Sequence, residues 1–189
     1  MLHTFLFRER LLLALLICMQ IDLLAQSPAT EQPCLFDALN PPATLRAAET
    51  RISAAVAQIK SSNSTENSDD IRVIPVVVHV IHNGGSENIT KAQIERQIEI
   101  LNEDFGKIPG TPGDGAGVDT RVRFCLAKTD PQGRCTDGIV RLKTPLTTHQ
   151  PVDRASLKNL SFWDNTRYLN MYVVKTISNG VGGYSSFPY

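Results

Sequence analysis

The feature that most constrains the fold of this chain is the β-branched run IRVIPVVVHVIH at residues 71–82. Valine and isoleucine favour strands, and a run with so few polar side chains is typical of a strand that is buried on both faces. Residues 71–82 therefore predict a central strand, which must be covered by packed layers of other elements.

A helix is predicted to follow this strand, over residues 92–105. Thr90 and Gln93 fit a capping box, and Ile89 and Ile94 occupy the positions of a hydrophobic staple. Gly106 suits the C-terminal end of the helix. One face of the helix is apolar: Ile94, Ile98, Leu101 and Phe105.

Three further segments indicate strands. Alternation of apolar and polar residues is clear at 122–126, weaker at 139–142 and mixed at 168–177. The Gly/Pro-rich loop KIPGTPGDGAG does not end in Gly-Lys-Ser/Thr, so it is not a phosphate-binding loop. A strand, a helix and then several strands predict an α/β (α+β) fold with a helix packed behind a sheet.

The first 25 residues have the composition of an export signal. Arg8 and Arg10 precede an apolar run that is too short to span a bilayer, and Ala25 provides a small residue before a cut. We expect cleavage between Ala25 and Gln26, secretion, and no transmembrane helix. Lipoprotein anchoring through Cys18 is disfavoured, because Ile17 stands where that processing prefers a small residue.

The region between the signal and the central strand divides into two parts. Residues 42–60 carry Leu45, Ile52, Val56 and Ile59 at helical spacing. The segment SSNSTENSDD that follows has no apolar residue and predicts an exposed linker. We therefore predict a small propeptide-like piece at residues 26–70 and a folded domain at residues 71–189.

Charge does not identify a partner. The chain has 19 basic and 19 acidic residues, so nothing in its charge points to nucleic acid or to an anionic membrane.

Export permits disulfides, and three cysteines remain after the predicted cleavage. Cys125 and Cys135 flank the turn sequence DPQG, which folds the segment back on itself, and we predict a disulfide between them. Two thiolates at this spacing with no nearby histidine do not make a zinc site. Cys34 is left free or available for an intermolecular bond.

The histidines do not form a metal site. His79 and His82 are three positions apart on a predicted strand, so their side chains point to opposite faces. We interpret His79 as a packed strand residue, His82 as a polar residue at the strand end, and His149 as solvated. The acidic residues Glu99, Glu103 and Asp104 fit a solvated helix face. No Ser or Cys nucleophile can be paired with a base, and GYSS lacks the Gly-x-Ser-x-Gly pattern.

A series of sequence blocks, taken in order and spacing, resembles the pappalysin (cytophagalysin-like) family of metzincin zinc endopeptidases. The blocks are IPVVVHVIHN, ITKAQIERQIEILNEDFG, VRFCLAKTDPQGRCTDGIVR, FWDNTRYLNMYVV and GGYSSFP. The resemblance implies an N-terminal subdomain with a twisted mixed sheet and one backing helix, followed by a substrate-lining strand. It also implies a later helix with H-E-x-x-H-x-x-G-x-x-H, which supplies three zinc ligands and the general base.

That zinc-binding motif does not occur in these 189 residues. We therefore expect an incomplete part of a secreted zinc metalloendopeptidase, with no catalytic residue and no metal ligand in this chain. Zinc and a protein or peptide substrate are expected for the full-length form, and no hydrolysis by this chain alone. The alternative is a secreted, non-catalytic binding module that uses the same sheet.

The resemblance gives Cys34 a possible role as a propeptide latency residue. Several metzincins have a propeptide whose thiolate or carboxylate occupies the zinc position before activation, and Cys34 precedes the predicted linker. Its surroundings, QPCLFD, depart from the Arg-x-Cys-Gly pattern of such propeptides. A plain unpaired or intermolecular cysteine is the other interpretation.

Overall fold

The computed structural model describes residues 34–61, 70–178 and 180–186 of the chain. The predicted signal, its cleavage site at Ala25 and Gln26, Cys18, and residues 62–69 of the predicted linker lie outside the described residues.

The predicted central strand is confirmed as β1, Arg72–His82. The exposed fractions of Val76, Val77, Val80 and Ile81 are all 0%, and His79 is as deeply buried. Burial on both faces is what the nearly continuous apolar run predicts.

Every strand pair in the main sheet is parallel. Strand β2, Val122–Leu126, lies beside the first half of β1, and β3, Ile139–Lys143, lies beside the second half. Strand β5, Leu169–Val173, pairs with residues 76–80. The fold class is confirmed, but the predicted mixed sheet is parallel throughout the described strands, which is consistent with long crossovers between the strands.

Backbone hydrogen bonds show how β1 shares its edges. The bonds that join β1 to residues 121, 127, 138 and 144, next to β2 and β3, all involve its even-numbered residues: the amides of Arg72 and Val78 donate, and the carbonyls of Val76 and His82 accept. Because alternate residues of a strand direct their backbone groups to the same edge, β2 and β3 lie one after the other along one edge. The other edge is left to β5.

The predicted helix forms α3, Lys91–Gly106, and its capping box is confirmed. Thr90 Oγ1 accepts a bond from the Gln93 amide at 3.2 Å, and Gln93 Oε1 accepts one from the Thr90 amide at 2.9 Å. The left-handed residue at the C-terminal end is Lys107, with φ 48°, whereas Gly106 is the last helical residue. Gly106 is buried against Arg123, where a Cβ would come within 3.0 Å of the guanidinium carbon.

The sheet has a core on each face. On one face, Val76, Val78 and Val80 pack with Ile94 and Ile98 of α3 and with Phe124 and Leu126. On the other face, Val77 packs with Ala127, Trp163 and Tyr168.

Short elements connect β3 to β5 and follow β5. They are a 3₁₀ turn at Pro145–Thr147, β4 at Thr148–His149, a second 3₁₀ turn at Pro151–Asp153, α4 at Arg154–Leu160, and β6 at Thr176–Ile177. Strand β4 pairs with β6 in parallel. The single strand predicted at 168–177 is therefore two strands: the amide of Lys175 bonds to the Thr147 carbonyl at 2.9 Å, and the chain leaves the main sheet there.

Two helices precede the sheet: α1, Phe36–Leu39, and α2, Pro42–Ser61. The helix predicted at 42–60 is confirmed, but none of its residues is buried. Its apolar residues Ile52, Val56 and Ile59 are 50%, 43% and 54% exposed. Among the helices that the structure describes, none combines the length and the apolar character needed to cross a membrane.

Candidate functional site

The glycine-rich segment at residues 180–186 is held by side chains and backbone from several elements. Val181 is buried and forms an antiparallel bridge with Ile177 of β6. The Tyr184 hydroxyl lies 2.9 Å from Nε2 of His149. At the end of the segment, Lys158 Nζ donates to Ser186 Oγ at 2.9 Å.

The segment around Cys34 docks on the same residues. Cys34 and Gly183 form a parallel bridge, and the amide of Leu35 donates to the Gly183 carbonyl at 3.1 Å. Asn40, which is 4% exposed, donates from Nδ2 to the Ser185 carbonyl at 3.4 Å and to the Phe36 carbonyl at 2.7 Å. The structure thus brings the Cys34 segment beside the glycine-rich segment, with Cys34 itself exposed.

His149 does not lie in a solvated loop, and that prediction was wrong. It belongs to β4, is 4% exposed, and meets the Tyr184 ring edge-to-face at a centroid distance of 6.0 Å. Burial lowers the pKa of His149, while the Leu146 carbonyl and the Asp153 carboxylate act in the opposite direction. The sequence around His149 gave no sign of this, because its cover comes from Tyr184, thirty-five positions away.

His79 is a packed strand histidine, as predicted. Its side chain is fully buried, its Nε2 lies 2.9 Å from Asn170 Oδ1, and its ring stacks on Tyr172. Burial lowers the pKa of His79, whereas its hydrogen bond to Asn170 Oδ1 raises the pKa. Burial also raises the pKa of Tyr172 to about 12. These shifts describe a neutral, structural cluster.

His82 is a half-buried residue at the end of β1, as predicted, and its Nδ1 accepts a bond from the Gly84 amide at 3.2 Å. Acidic residues of α3 are exposed or engage Arg96, whose NH1 lies 2.7 Å from Glu103 Oε1 and 3.2 Å from Glu99 Oε2. Within residues 34–61, 70–178 and 180–186, no three His, Cys, Asp or Glu side chains converge to hold a metal ion. The described residues therefore do not fit a zinc site.

The disulfide predicted between Cys125 and Cys135 is not formed in the structure, where both are free thiols. The turn does fold back, but Cys135 pairs across from Thr129. Cys135 therefore lies opposite Thr129 and not opposite Cys125 in this pairing.

Glu87 is a buried acid that the sequence did not reveal. Its Oε1 accepts bonds from the amides of Asn83 at 2.7 Å and Gly85 at 3.2 Å. These backbone bonds hold the pKa of Glu87 below its usual value. Glu87 thus orders the loop between β1 and α3, which is a structural role.

The chain is similar to solved structures of mirolysin. Neither a protein-family profile nor a curated protein sequence matches the chain. Among solved structures, mirolysin in complex with a compound has 36% sequence identity and a TM-score of 0.50, over 59% of this chain and 45% of that one.

Two related structures also match. A Tannerella forsythia promirolysin mutant has 37% identity and a TM-score of 0.49, over 65% of this chain and 43% of its own. Mature T. forsythia mirolysin in complex with a cleaved peptide has 39% identity and a TM-score of 0.46, over 56% and 42%. This chain therefore spans less than half the length of the mirolysin structures that it matches.

Mirolysin is a metzincin-type (pappalysin/cytophagalysin-like) zinc metalloprotease. The first match combines a shared fold with 36% sequence identity. Two proteins that share only an architecture do not need so many identical residues. The resemblance of this chain to the pappalysin/cytophagalysin-like metzincin metalloproteases, predicted from its sequence blocks, is thereby confirmed.

Proposed function

We propose that the sheet domain, residues 71–189, is the N-terminal part of the catalytic domain of a secreted zinc metalloendopeptidase. The observation that carries the proposal is the match to mirolysin at 36% identity with a TM-score of 0.50. The proposed reaction is hydrolysis of peptide bonds in a protein or peptide substrate. Secretion rests on the signal-like residues 1–25.

In this proposal the described residues provide the scaffold and not the metal chemistry. Zinc, when bound in the longer protein, polarises the scissile carbonyl and activates water. His79 and His149 are buried structural residues, and His82 serves the β1–α3 loop. The zinc ligands and the general base are proposed to come from residues that follow the sheet domain.

Residues 26–70 are proposed to be a propeptide, with Cys34 as its latency residue. Support comes from the docking of Leu35 and Asn40 on Gly183 and Ser185, next to the segment that leads toward the substrate-lining strand of the family. The Cys34 thiol is exposed there. Free thiolates are the form of cysteine that binds metals.

The gene itself offers a first test. Reading the nucleotide sequence beyond the Tyr189 codon should reveal an H-E-x-x-H segment, in frame or frameshifted. Several hundred bases without such a segment would contradict the metalloendopeptidase and favour a non-catalytic binding module.

A chimera tests the activity. Residues 71–186 would replace the matching residues of mirolysin, and hydrolysis of a fluorogenic peptide would be measured with and without a chelator. We expect chelator-sensitive hydrolysis that disappears when the Glu of the H-E-x-x-H motif is changed to Ala. A folded chimera that binds zinc but does not cleave would contradict the proposal.

Latency is tested in the longer protein that carries residues 26–70. Cys34→Ala should give hydrolysis without prior proteolytic processing, because the thiol can no longer occupy the zinc position. Ser27→Ala is the control and should stay latent. Unchanged latency in the Cys34 variant would remove the latency role and leave the rest of the proposal standing.

A further inference from the structure

His149 is a buried titratable residue that no step of the proposed reaction uses. Its Nε2 lies 2.9 Å from the Tyr184 hydroxyl, and its Nδ1 is buried without a hydrogen-bond partner. A neutral imidazole that carries its proton on Nε2 fits this site, because Nδ1 then has no N–H that needs an acceptor. The doubly protonated form would place a charged N–H at Nδ1, which is buried and makes no hydrogen bond in the structure, and this is unfavourable.

The Leu146 carbonyl favours the protonated ring, but Nδ1 of His149 makes no hydrogen bond of ordinary geometry with it or with any other described group. Asp153, in the second 3₁₀ turn, interacts with both His149 and Tyr184, and Arg154 of α4 interacts with Tyr184. Lys158 of α4 is engaged by Ser186. Strand β6 consists of Thr176 and Ile177 and contributes no charged side chain. The amide of Lys175, which precedes it, donates to the Thr147 carbonyl. The effect of burial is larger than the effect of these charges, so the pKa of His149 stays below its ordinary value.

Tyr184 lies within the short stretch on which the N-terminal segment docks. Gly183 accepts the bond from the Leu35 amide, and Ser185 accepts the bond from Asn40. Tyr184, between them, is the residue of this stretch whose side chain reaches into the β4–β6 layer. A change at His149 therefore reaches the docked segment through two adjacent peptide units.

We propose that His149 is a pH-sensitive clamp, whose neutral imidazole holds Tyr184 and whose protonation releases residues 183–186 together with the docked residues 34–40. The clamp acts on contacts within this chain, so it holds whether or not the zinc chemistry proposed above is correct. In a protein with a docked propeptide, the clamp makes the docking of the propeptide depend on pH. Release takes place as the pH falls below the ordinary range of histidine, because the buried ring resists protonation until then.

Hydrogen–deuterium exchange on the full chain tests this proposal. Protection of the amides at 34–40 and 183–186 would be compared at about pH 7.5 and about pH 5, where histidine changes charge and most carboxylates do not. After correction for intrinsic exchange, we expect a loss of protection of roughly tenfold or more at the lower pH. Amides of β1 at 76–80 serve as the internal reference and should remain protected.

Variants separate the clamp from other titrations. His149→Gln keeps a polar group that can bond to Tyr184 but does not titrate, so its protection should be equal at both pH values. His82→Gln is the matched control, because it removes a histidine from the end of β1, and it should respond to pH as the parent chain does. Tyr184→Phe removes the bond and should show low protection at both pH values.

Three results would overturn the proposal. The parent chain could keep its protection at about pH 5, or His149→Gln could lose protection as the parent does. Loss of protection in β1 together with residues 34–40 would indicate global unfolding and not release. If His149→Gln does not fold, Tyr184→Phe decides the matter, and a full pH response in that variant would count against the clamp.

Discussion

The imidazole of His79 stacks on the ring of Tyr172, which lies directly opposite it in the β1–β5 pair. The ring centroids are 4.6 Å apart and the planes differ by 16°. Asn170 Nδ2 donates to the Trp163 carbonyl at 2.8 Å, which fixes its amide and leaves Oδ1 to accept from His79 Nε2. His79 is therefore the neutral Nε2–H tautomer, and it joins β1 to both β5 and the loop before it.

Replacing His79 with Ala should lower the free energy of unfolding by about 3 kcal/mol, because it leaves a cavity under Tyr172 and removes the bond to Asn170. Urea unfolding followed by circular dichroism measures the change. His82→Ala, at the half-exposed end of the same strand, is the control and should change the free energy by about 0.5 kcal/mol or less. Equal losses in the two variants would contradict the structural role of His79.

The stability of the domain should fall as the pH drops below about 6.5, the ordinary histidine pKa. Burial lowers the pKa of both His79 and His149, so the unfolded chain takes up protons that the folded chain does not. Stability is then complete above the unfolded pKa and is lost progressively below it, at up to about 1.4 kcal/mol per pH unit for each histidine.

Urea unfolding between about pH 7.5 and about pH 5 measures this dependence. His79→Gln should flatten the slope, and His82→Gln should leave it unchanged. Asp119, Asp130 and Asp164 have lowered pKa values in the folded chain, that of Asp119 at about 2 beside Arg123, so they add to the pH dependence mainly below the ordinary aspartate pKa of about 4, outside this range. An equally steep slope in the His79 variant would contradict the assignment.

Local signals in the sequence predicted the parts of the fold that depend on neighbouring residues. The Val/Ile run gave β1, and Thr90 with Gln93 gave the start of α3. Both predictions depend on residues that are close in the sequence: the composition of a strand for β1 and a capping box for α3. The resemblance of the sequence blocks to one protease family supplied the relation that the match to mirolysin confirms.

Distant contacts explain what the sequence did not show. His149 is flanked by Thr147, Thr148 and Gln150, so its burial depends on Tyr184 and on pairing with Ile177. Cys125 and Cys135 flank a real turn, but the turn pairs Cys135 with Thr129, and the two cysteines are free thiols in the structure. Register is a property of the paired chain, and spacing alone does not determine it.

Asn102 should be needed to protect the outer edge of β2. Its Nδ2 donates to the Phe124 carbonyl at 2.9 Å, and its Oδ1 accepts from the Phe124 amide at 2.7 Å. The side chain thus takes the place of a neighbouring strand, on the edge of β2 where no other described strand pairs. Asn102→Ala should lower the free energy of unfolding by about 2 kcal/mol, because it leaves both backbone groups without their partner.

Asn102→Asp provides a matched variant, because a carboxylate can accept from the Phe124 amide but places a second acceptor against the Phe124 carbonyl. It should also lose stability in urea unfolding, since the carbonyl keeps no donor. Gln97→Ala, at an exposed position of the same helix, should be nearly neutral. Equal stability of Asn102→Ala and Gln97→Ala would show that β2 does not need this bond.

Helix α2 should unfold independently of the sheet domain. None of its residues is buried, and its apolar residues Ile52 and Val56 are 50% and 43% exposed. A helix of this length with no buried residue gains little from tertiary packing and is marginally stable in water. Ala55→Pro, in the middle of α2, should therefore abolish protection from hydrogen exchange at 42–61 and leave the free energy of unfolding of the sheet domain unchanged.

Glu95→Pro, at an exposed position of the packed helix α3, is the matched control and should destabilise the sheet domain by about 3 kcal/mol or more. A comparable loss of sheet stability in the Ala55 variant would mean that α2 packs on the domain in solution.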